Sequence, residues 1–189
     1  RHANTDALTG AASRLKFMKT LDEVVTHTSA TTALLTIDLD RFKEVNDLMG
    51  HSAGDIVLRT AAERLKTATR KYNATVARLG GDEFAVLLPE LPQGVDIARI
   101  AACVVEAMRQ PIDIEGHPMV IGASVGAALC PEHTLDAKEL LTLADLALYE
   151  VKKSGKNDFC VFNAFMRAGH QRRKDLEAEL NAAIASDAL

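Results

Sequence analysis

Two short apolar runs flank a Gly-Gly turn in the stretch 74-ATVARLGGDEFAVLL-88. Both runs are compatible with β-strands, so the pattern predicts a hairpin whose tip is residues 80–83. Glycine accepts positive φ and lets another molecule, such as a phosphate, approach the backbone closely. Asp82 and Glu83 would stand where a divalent cation could neutralise them, although a plain solvated turn is the favoured interpretation of these residues alone.

Length and composition describe one globular domain with a short appendage. Of the 189 residues, 48% are hydrophobic and 25% are charged, which is enough apolar material to form a packed core. The 22 basic and 26 acidic residues are spread along the chain. The sequence therefore has no cluster of basic residues of the kind that binds nucleic acid. We therefore expect no nucleic-acid polymer as a partner.

The cysteines and the hydropathy pattern indicate in which cellular compartment the chain is expected. Cys103, Cys130 and Cys160 are odd in number and far apart in sequence, which predicts reduced core thiols in a cytoplasmic protein. The chain contains no apolar run of about 18 residues and no signal-peptide start, so this piece is expected neither to span a membrane nor to be exported on its own. A membrane tether outside these residues remains possible for the full-length protein.

A strand that ends in carboxylates is the second informative segment. Residues 32–37 form a nearly continuous apolar run, typical of a central strand, and Asp38-Leu39-Asp40 follows directly. A carboxylate at the end of a buried strand is costly unless a cation or hydrogen-bond donors compensate it. The alternative is a cap for the helix that starts at Arg41. We predict the cap at Asp40 and a chemical role for Asp38.

Several polar side chains fall near the junction of two predicted helices. The first helix is predicted over 41–49, and Ser52 with Asp55 resembles a capping box that opens the second. Amide, imidazole, ammonium and carboxylate groups at such a junction could converge on a small ligand. Each residue taken singly is more often a cap or a structural residue. The side chains concerned are Lys43, Asn46, His51 and Asp55.

The remaining segments predict the fold class. Periodicity predicts helices over 97–108 and 136–153, a hairpin that starts at 112–114, a strand that continues from 119 to Pro131, and a last strand over 159–162. The order of elements is α, β, α, α, β, β, α, β, β, α, β. Hairpins placed between helical crossovers favour an α+β fold with a mostly antiparallel five-stranded central sheet flanked by helices, and one extra hairpin.

Two charged segments close the chain. Lys152 and Lys156 lie at the C-terminal turn of a helix, where compensation of the helix dipole is favoured over a phosphate clamp because no Walker-type GxxxxGK[ST] run is present. Residues 164–189 form a charged amphipathic pattern with a narrow apolar stripe at Leu176, Leu180 and Ile184. This predicted helix would either connect to a partner outside the sequence or pack back on its own domain.

Five separated blocks of the chain occur in an order that one protein family shares. They are Asp6 to Gly10 with Arg14, Asp38 to Lys43 with Asn46 and Asp47, Gly50 to Asp55, Gly80 to Phe84, and Ala144 to Tyr149 with Lys152 and 154–157. Together they resemble the GGDEF domain of diguanylate cyclases over roughly residues 4–163. Ala11 and Ser13 depart from the usual Leu and Asn of the first block.

The resemblance implies a fold like that of nucleotidyl cyclases and the polymerase palm. It places the GGDEF domain at 1–163 and makes 164–189 a helical linker toward a possible following EAL domain, with further EAL or sensory domains attached outside this sequence. The family's product-inhibition motif is RxxD, but Lys71 and Ala74 stand at its two positions here. We therefore do not expect feedback inhibition through that site.

The resemblance also implies the ligands and the site residues. Mg²⁺ or Mn²⁺ would be held by oxygen atoms, which suit a hard cation bridging a triphosphate. The implied metal ligands are Asp38, the Leu39 carbonyl, Asp82 and Glu83, and the implied catalytic residues are Asp82, Glu83 and Lys43. The implied GTP-binding residues are Asn46 and Asp55 at the guanine edge with His51 nearby, Gly80 and Gly81 along the nucleotide, and Lys152 and Lys156 at the distal phosphates.

By this match the chain would be an enzyme that condenses two GTP molecules into cyclic di-GMP and releases pyrophosphate across a homodimer. One alternative is a GTP-binding regulatory module that makes little product and controls an attached phosphodiesterase domain. A purely structural dimerisation domain is the third hypothesis.

Overall fold

A computed structural model describes residues 4–187 of the chain. Its helices are α1 (Arg14–His27), α2 (Phe42–Met49), α3 (His51–Thr69), α4 (Ile97–Arg109), α5 (Ala137–Ser154) and α6 (Ala164–Asp187). Its strands are β1 (Ala12–Ser13), β2 (Thr32–Leu39), β3 (Thr75–Gly80), β4 (Glu83–Leu88), β5 (Ile112–Ile114), β6 (His117–Met119), β7 (Ala123–Cys130) and β8 (Phe159–Val161). A short 3₁₀ turn follows α3.

One mixed sheet organises the domain, in the strand order β1-β3-β4-β2-β7-β8. The three inner pairings are antiparallel, whereas β1 pairs with β3 and β8 with β7 in parallel. The predicted α+β, palm-like fold with a mostly antiparallel sheet is confirmed, and β5 and β6 form the extra hairpin. The sheet has a sixth strand because Ala12 and Ser13 pair with β3, and two residues are too few to give a periodic signal.

Strand β2 lies near the middle of the sheet and is covered on both faces. Leu35 and Ile37 belong to the core under α3 and α4, whereas Leu34 belongs to the core formed with α1 and α5. Burial on both faces explains the continuous apolar run of this strand. Asp38 therefore lies near the end of a strand that is buried along almost its whole length.

Helix α5 packs directly onto β7 at Gly126. A Cβ built on Gly126 would lie 2.1 Å from the carbonyl oxygen of Ala144 and 2.3 Å from the amide nitrogen of Leu148. Real Cβ atoms do not approach backbone atoms this closely, so only glycine fits between strand and helix. This contact sets the height of α5, and with it Lys152, above the sheet.

Two predicted helix caps are wrong. Arg41, not Asp40, is the N-cap of α2, with φ of 60° and no side-chain hydrogen bond to the helix. The carboxylate of Asp40 instead accepts hydrogen bonds from the hydroxyl of Ser124 and the amide of Asn157, both at 2.8 Å. Helix α3 begins at His51 after Gly50 and has no side-chain cap, so Ser52 and Asp55 lie inside its first turns and form no capping box.

The strand predicted from 119 to Pro131 is interrupted. It divides into β6 and β7, with residues 120–122 outside both strands. Alternating apolar residues continue through the break, which is why the sequence pattern conceals it. Among the cysteines, Cys130 is buried as predicted, but Cys103 is exposed, because it lies on the outer face of α4.

Helix α6 contacts α5 through polar side chains. Arg167 lies 2.6 Å from Glu139, and Arg173 donates to the hydroxyl of Tyr149 at 2.8 Å. The stripe of Leu176, Leu180 and Ile184 is exposed. Within residues 4–187, no helix is both long and apolar enough to cross a membrane.

Candidate active site

The end of β2 meets the tip of the β3–β4 hairpin. Asp38 is paired with Glu83 of β4, and the amide of Leu39 donates to the carbonyl of Asp82 at 3.3 Å. The four residues expected to hold a metal thus come from two chain segments that backbone hydrogen bonds place side by side. This arrangement follows from antiparallel pairing of a strand end with a hairpin tip.

The hairpin tip is held by one arginine. Gly80 pairs with Glu83, and Gly81 has φ of 50°, a value that glycine adopts without the steric cost of a side chain. The Nε of Arg78 donates to the carbonyl of Gly81 at 2.9 Å, and its Nη1 lies 3.4 Å from Asp6. Arg78 therefore ties the turn to the N-terminal segment and fixes the direction of the two carboxylates.

The surroundings of Asp82 disfavour its charged form. Burial raises the pKa of Asp82, and the nearby charge of Asp38 raises it further, whereas Lys152 and Arg78 act in the opposite direction. The Nζ of Lys152 lies 2.6 Å from Oδ2 of Asp38. The ammonium group of Lys152 thus offsets part of the negative charge of Asp38 and Asp82. A bound metal cation would offset the rest.

The donor set fits a hard divalent cation. Asp38, Asp82 and the Leu39 carbonyl offer only oxygen, which suits Mg²⁺ or Mn²⁺. In the described part of the chain, no group of three or more His, Cys, Asp or Glu side chains is placed to hold a metal ion. A protein that supplies only one or two carboxylates suits Mg²⁺, which completes its shell with substrate phosphates and water.

A second group of predicted residues lies where α2 meets α3. The Oδ1 of Asn46 lies against the Cα of Gly54, so closely that a Cβ built there would be only 2.0 Å away. Asp55 follows on α3 and is half-buried, while His51 is exposed in the first turn of that helix. Because glycine has no side chain, the amide of Asn46 can lie against α3 at Gly54, the residue that precedes Asp55.

The remaining predicted residues are exposed, and one of them lines a cavity beside Asp40. Lys43 is exposed on α2, and the turn glycines Gly80 and Gly81 are also exposed. Lys156 lines a cavity of about 490 Å³ together with Asp40, Arg41 and Gly155, among others. Lys43 and Lys156 are thus available to an incoming ligand, and their roles stay predictions.

One further acidic residue lies beside the site. Asp145 of α5 lines a cavity of about 310 Å³ together with Glu83, Lys152 and Arg14, among others. Desolvation raises the pKa of Asp145, and the charge of Glu83 raises it as well. Asp145 is not among the site residues predicted from the sequence, and its position in the block from Ala144 to Tyr149 is the only local signal that marks it.

Comparison with known proteins places these features in a family context. Residues 3–158 match the family described as "Diguanylate cyclase, GGDEF domain". The chain is 42% identical over 152 residues to the bifunctional diguanylate cyclase/cyclic di-GMP phosphodiesterase MucR of Pseudomonas aeruginosa, which covers 80% of this chain and 22% of MucR. It is 41% identical over 158 residues to the diguanylate cyclase TpbB of the same organism, which covers 82% of this chain and 36% of TpbB.

The fold agrees with a solved structure. A structure of TpbB from Pseudomonas aeruginosa comprising only the GGDEF domain superposes with a TM-score of 0.84 at 37% identity, covering 88% of this chain and 99% of that chain. By contrast, this chain spans only 22% and 36% of the length of the two curated relatives. The shared unit is therefore a domain that occurs inside longer proteins.

Proposed function

Because the chain belongs to the GGDEF family of diguanylate cyclase domains, we propose that it condenses two GTP molecules into cyclic di-GMP. The observation that carries the proposal is the pair of carboxylates, Asp38 and Asp82, at one end of the sheet with Lys152 in contact with Asp38. A phosphoryl-transfer site needs negative groups for a metal and positive groups for phosphates, and both kinds meet here.

The residues divide into four roles: guanine recognition, phosphate and nucleotide binding, charge stabilisation and metal binding. Asn46 and Asp55, with His51 nearby, would read the guanine edge. Lys152 and Lys156 would hold the distal phosphates, and the Gly80-Gly81 backbone would lie against the nucleotide. Lys43 would stabilise charge on the transferring phosphate.

A divalent cation bound by Asp38, the Leu39 carbonyl and Asp82, with Glu83 as a further ligand, would neutralise phosphate charge and favour the ionised 3′-hydroxyl.

The reaction needs two copies of this site. The 3′-oxygen of one GTP forms a bond to the α-phosphorus of the other, the bond to the pyrophosphate leaving group breaks, and the hydroxyl proton passes to a base near Asp82. The same exchange in the opposite direction closes the ring. Since each chain presents one GTP, we propose a homodimer in which two hairpin tips face each other.

The direct test is product formation by the 189-residue chain. We expect cyclic di-GMP and pyrophosphate when the chain is incubated with GTP and Mg²⁺ at high concentration or fused to a dimerising partner. Chelation of the metal should abolish the product and serves as the matched control. Binding of GTP without product in the dimerised form, while a control cyclase works, would contradict the enzyme assignment.

A second candidate is a GTP-binding regulatory module. It is favoured by the similarity to a bifunctional relative of which this chain spans 22%, and by α6, which leaves the domain with an exposed apolar stripe. In this proposal 1–163 is the GGDEF domain, 164–189 is a linker, and GTP binding changes the activity of an attached EAL phosphodiesterase domain. This candidate would be favoured if GTP bound and changed the phosphodiesterase activity of a fused EAL domain while no cyclic di-GMP formed.

Gly54→Ala tests the guanine contact without removing a polar group. The new Cβ would lie 2.0 Å from Oδ1 of Asn46, so the amide must move. We expect GTP affinity to fall by about tenfold, the effect of losing one hydrogen bond to a polar base edge. The new Cβ also meets Cζ of Phe42 at 3.1 Å, and this crowding opposes the gain from placing alanine instead of glycine in a helix, so the free energy of unfolding should change by less than about 1 kcal/mol. Calorimetric titration with GTP measures the first effect and thermal unfolding the second, and unchanged affinity would contradict the role of Asn46.

A further inference from the structure

The loop after α5 has an unusual backbone that its own sequence does not favour. Gly155, Lys156 and Asn157 have φ values of 125°, 67° and 51°. Glycine adopts such values easily and asparagine tolerates them, but for a lysine they cost energy and persist only when surrounding contacts enforce them. Contacts with the rest of the fold must therefore hold the loop at Lys156 in this conformation.

The buried carboxylate of Asp40 supplies the first contact. Its Oδ2 accepts a hydrogen bond from the amide of Asn157 at 2.8 Å, and its Oδ1 accepts one from the hydroxyl of Ser124, also at 2.8 Å. Only 7% of Asp40 is exposed. A buried carboxylate is tolerated when donors satisfy it, so these bonds tie the loop to the end of β2.

Arg109 and Gly122 hold the other side of Asn157. The Nη2 of Arg109 donates to the Asn157 carbonyl at 2.7 Å and its Nε to the Asn157 Oδ1 at 3.3 Å. A Cβ on Gly122 would lie 2.6 Å from that same Oδ1. Asp40 thus accepts from the amide of Asn157, Arg109 donates to both its carbonyl and its side-chain oxygen, and Gly122 packs against that side chain.

We propose that Asp40, Arg109 and Gly122 are positioning residues that fix Asn157 and thereby hold Lys156 at the phosphate-binding end of the site. Lys156 precedes Asn157 and lines the cavity that Asp40 also lines. Its amide donates to the carbonyl of Val151, which keeps it within one turn of Lys152. This inference rests on the proposed function, since it needs Lys156 to bind the distal phosphates of GTP.

Arg109→Ala is the primary test, measured by calorimetric titration of the full chain in Mg²⁺ with GMP and with GTP, the latter supplied as 3′-deoxy-GTP so that no 3′-hydroxyl is present to react. We expect the Kd for GTP to rise by about tenfold, the value of one charged contact to phosphate, and the Kd for GMP to stay unchanged because GMP lacks the distal phosphates. Lys156→Ala should give the same selectivity, and adding Arg109→Ala to it should cause no further loss. Arg99→Ala, an exposed arginine on the same helix, is the matched control.

Gly122→Ala provides an independent variant because it removes no hydrogen-bonding group and acts by displacing the Asn157 side chain, whose Oδ1 accepts from Arg109. It should weaken GTP binding selectively, as Arg109→Ala does. The inference is overturned if either variant binds GTP like the parent, weakens GTP and GMP equally, or adds its full effect to that of Lys156→Ala. If the parent itself does not bind GTP, the proposed function fails with it, so the two failures are distinguishable.

Discussion

Asp82→Asn should lower cyclic di-GMP formation by roughly a thousandfold while leaving the protein at least as stable as the parent. The loss of activity follows because asparagine keeps the shape of the side chain but removes one of two carboxylates proposed to hold the metal. The gain in stability follows from the raised pKa of Asp82, caused by burial and by Asp38. Its charged form is less favourable in the folded protein than in the unfolded chain.

The size of this effect on stability depends on pH. A carboxyl group with a raised folded-state pKa destabilises the fold above that pKa, and the penalty disappears as pH falls below the unfolded value. At neutral pH the penalty is fully present in the parent, so Asp82→Asn should raise Tm in the absence of metal. Near the ordinary pKa of aspartate the two proteins should unfold at closer temperatures.

Thermal unfolding with and without Mg²⁺ and a product assay measure both effects. Mg²⁺ should raise the Tm of the parent but hardly that of Asp82→Asn. Asp22→Asn, an exposed residue on α1, controls for the loss of one negative charge. Product formation at the parental rate, or a lower Tm than the parent without metal, would contradict the assignment of Asp82.

Gly126→Ala should destabilise the protein by roughly 3 kcal/mol, at the upper end for overpacking, and lower Tm by about 10 °C. The added Cβ would meet the backbone of Ala144 and Leu148 at 2.1 and 2.3 Å. Backbone atoms cannot rotate away as a flexible side chain can, so α5 must lift from β7. Since α5 carries Lys152, the contact with Asp38 should be lost as well.

Gly169→Ala is the matched control for this prediction. Nothing lies within 4 Å of a Cβ built on Gly169 in α6, so the same substitution should be neutral or stabilise the helix by about 0.5 to 1 kcal/mol. Chemical denaturation of the two variants compares the free energies of unfolding. Equal stability of Gly126→Ala and the parent would show that α5 can move without cost.

The sequence predicts most of the fold because the long elements carry strong periodic signals. Strand β2 reads as a central strand since both faces are buried, and the hairpin at 74–88 is confirmed with its turn at Gly81 and Asp82. Strand β1 is missed because its pairing with Ala77 and Arg78 depends on residues more than sixty positions away. A two-residue strand has no local pattern to reveal it.

The candidate site likewise contains residues that the sequence predicts and residues that it does not. Residues inside contiguous motifs, such as Asp38 and Asp82, are predicted from the sequence, and the structure brings their segments together. The predicted cap at Asp40 is wrong because a cap and a buried anchor have the same sequence signature, and only the contacts with Ser124 and Asn157, 84 and 117 positions away, distinguish them. Arg109 lies 48 positions from Asn157 in an ordinary helix, so nothing local marks it.

The ion pair between Lys152 and Asp38 makes nucleotide and metal binding thermodynamically interdependent under the proposed function. In the ligand-free protein the ammonium group acts as a counter-ion for a carboxylate that the metal would need. Triphosphate would draw Lys152 toward itself and release Asp38, while metal on Asp38 would release Lys152 for the triphosphate. Each ligand then raises the affinity for the other by the same factor, so the two should load together more readily than either does alone.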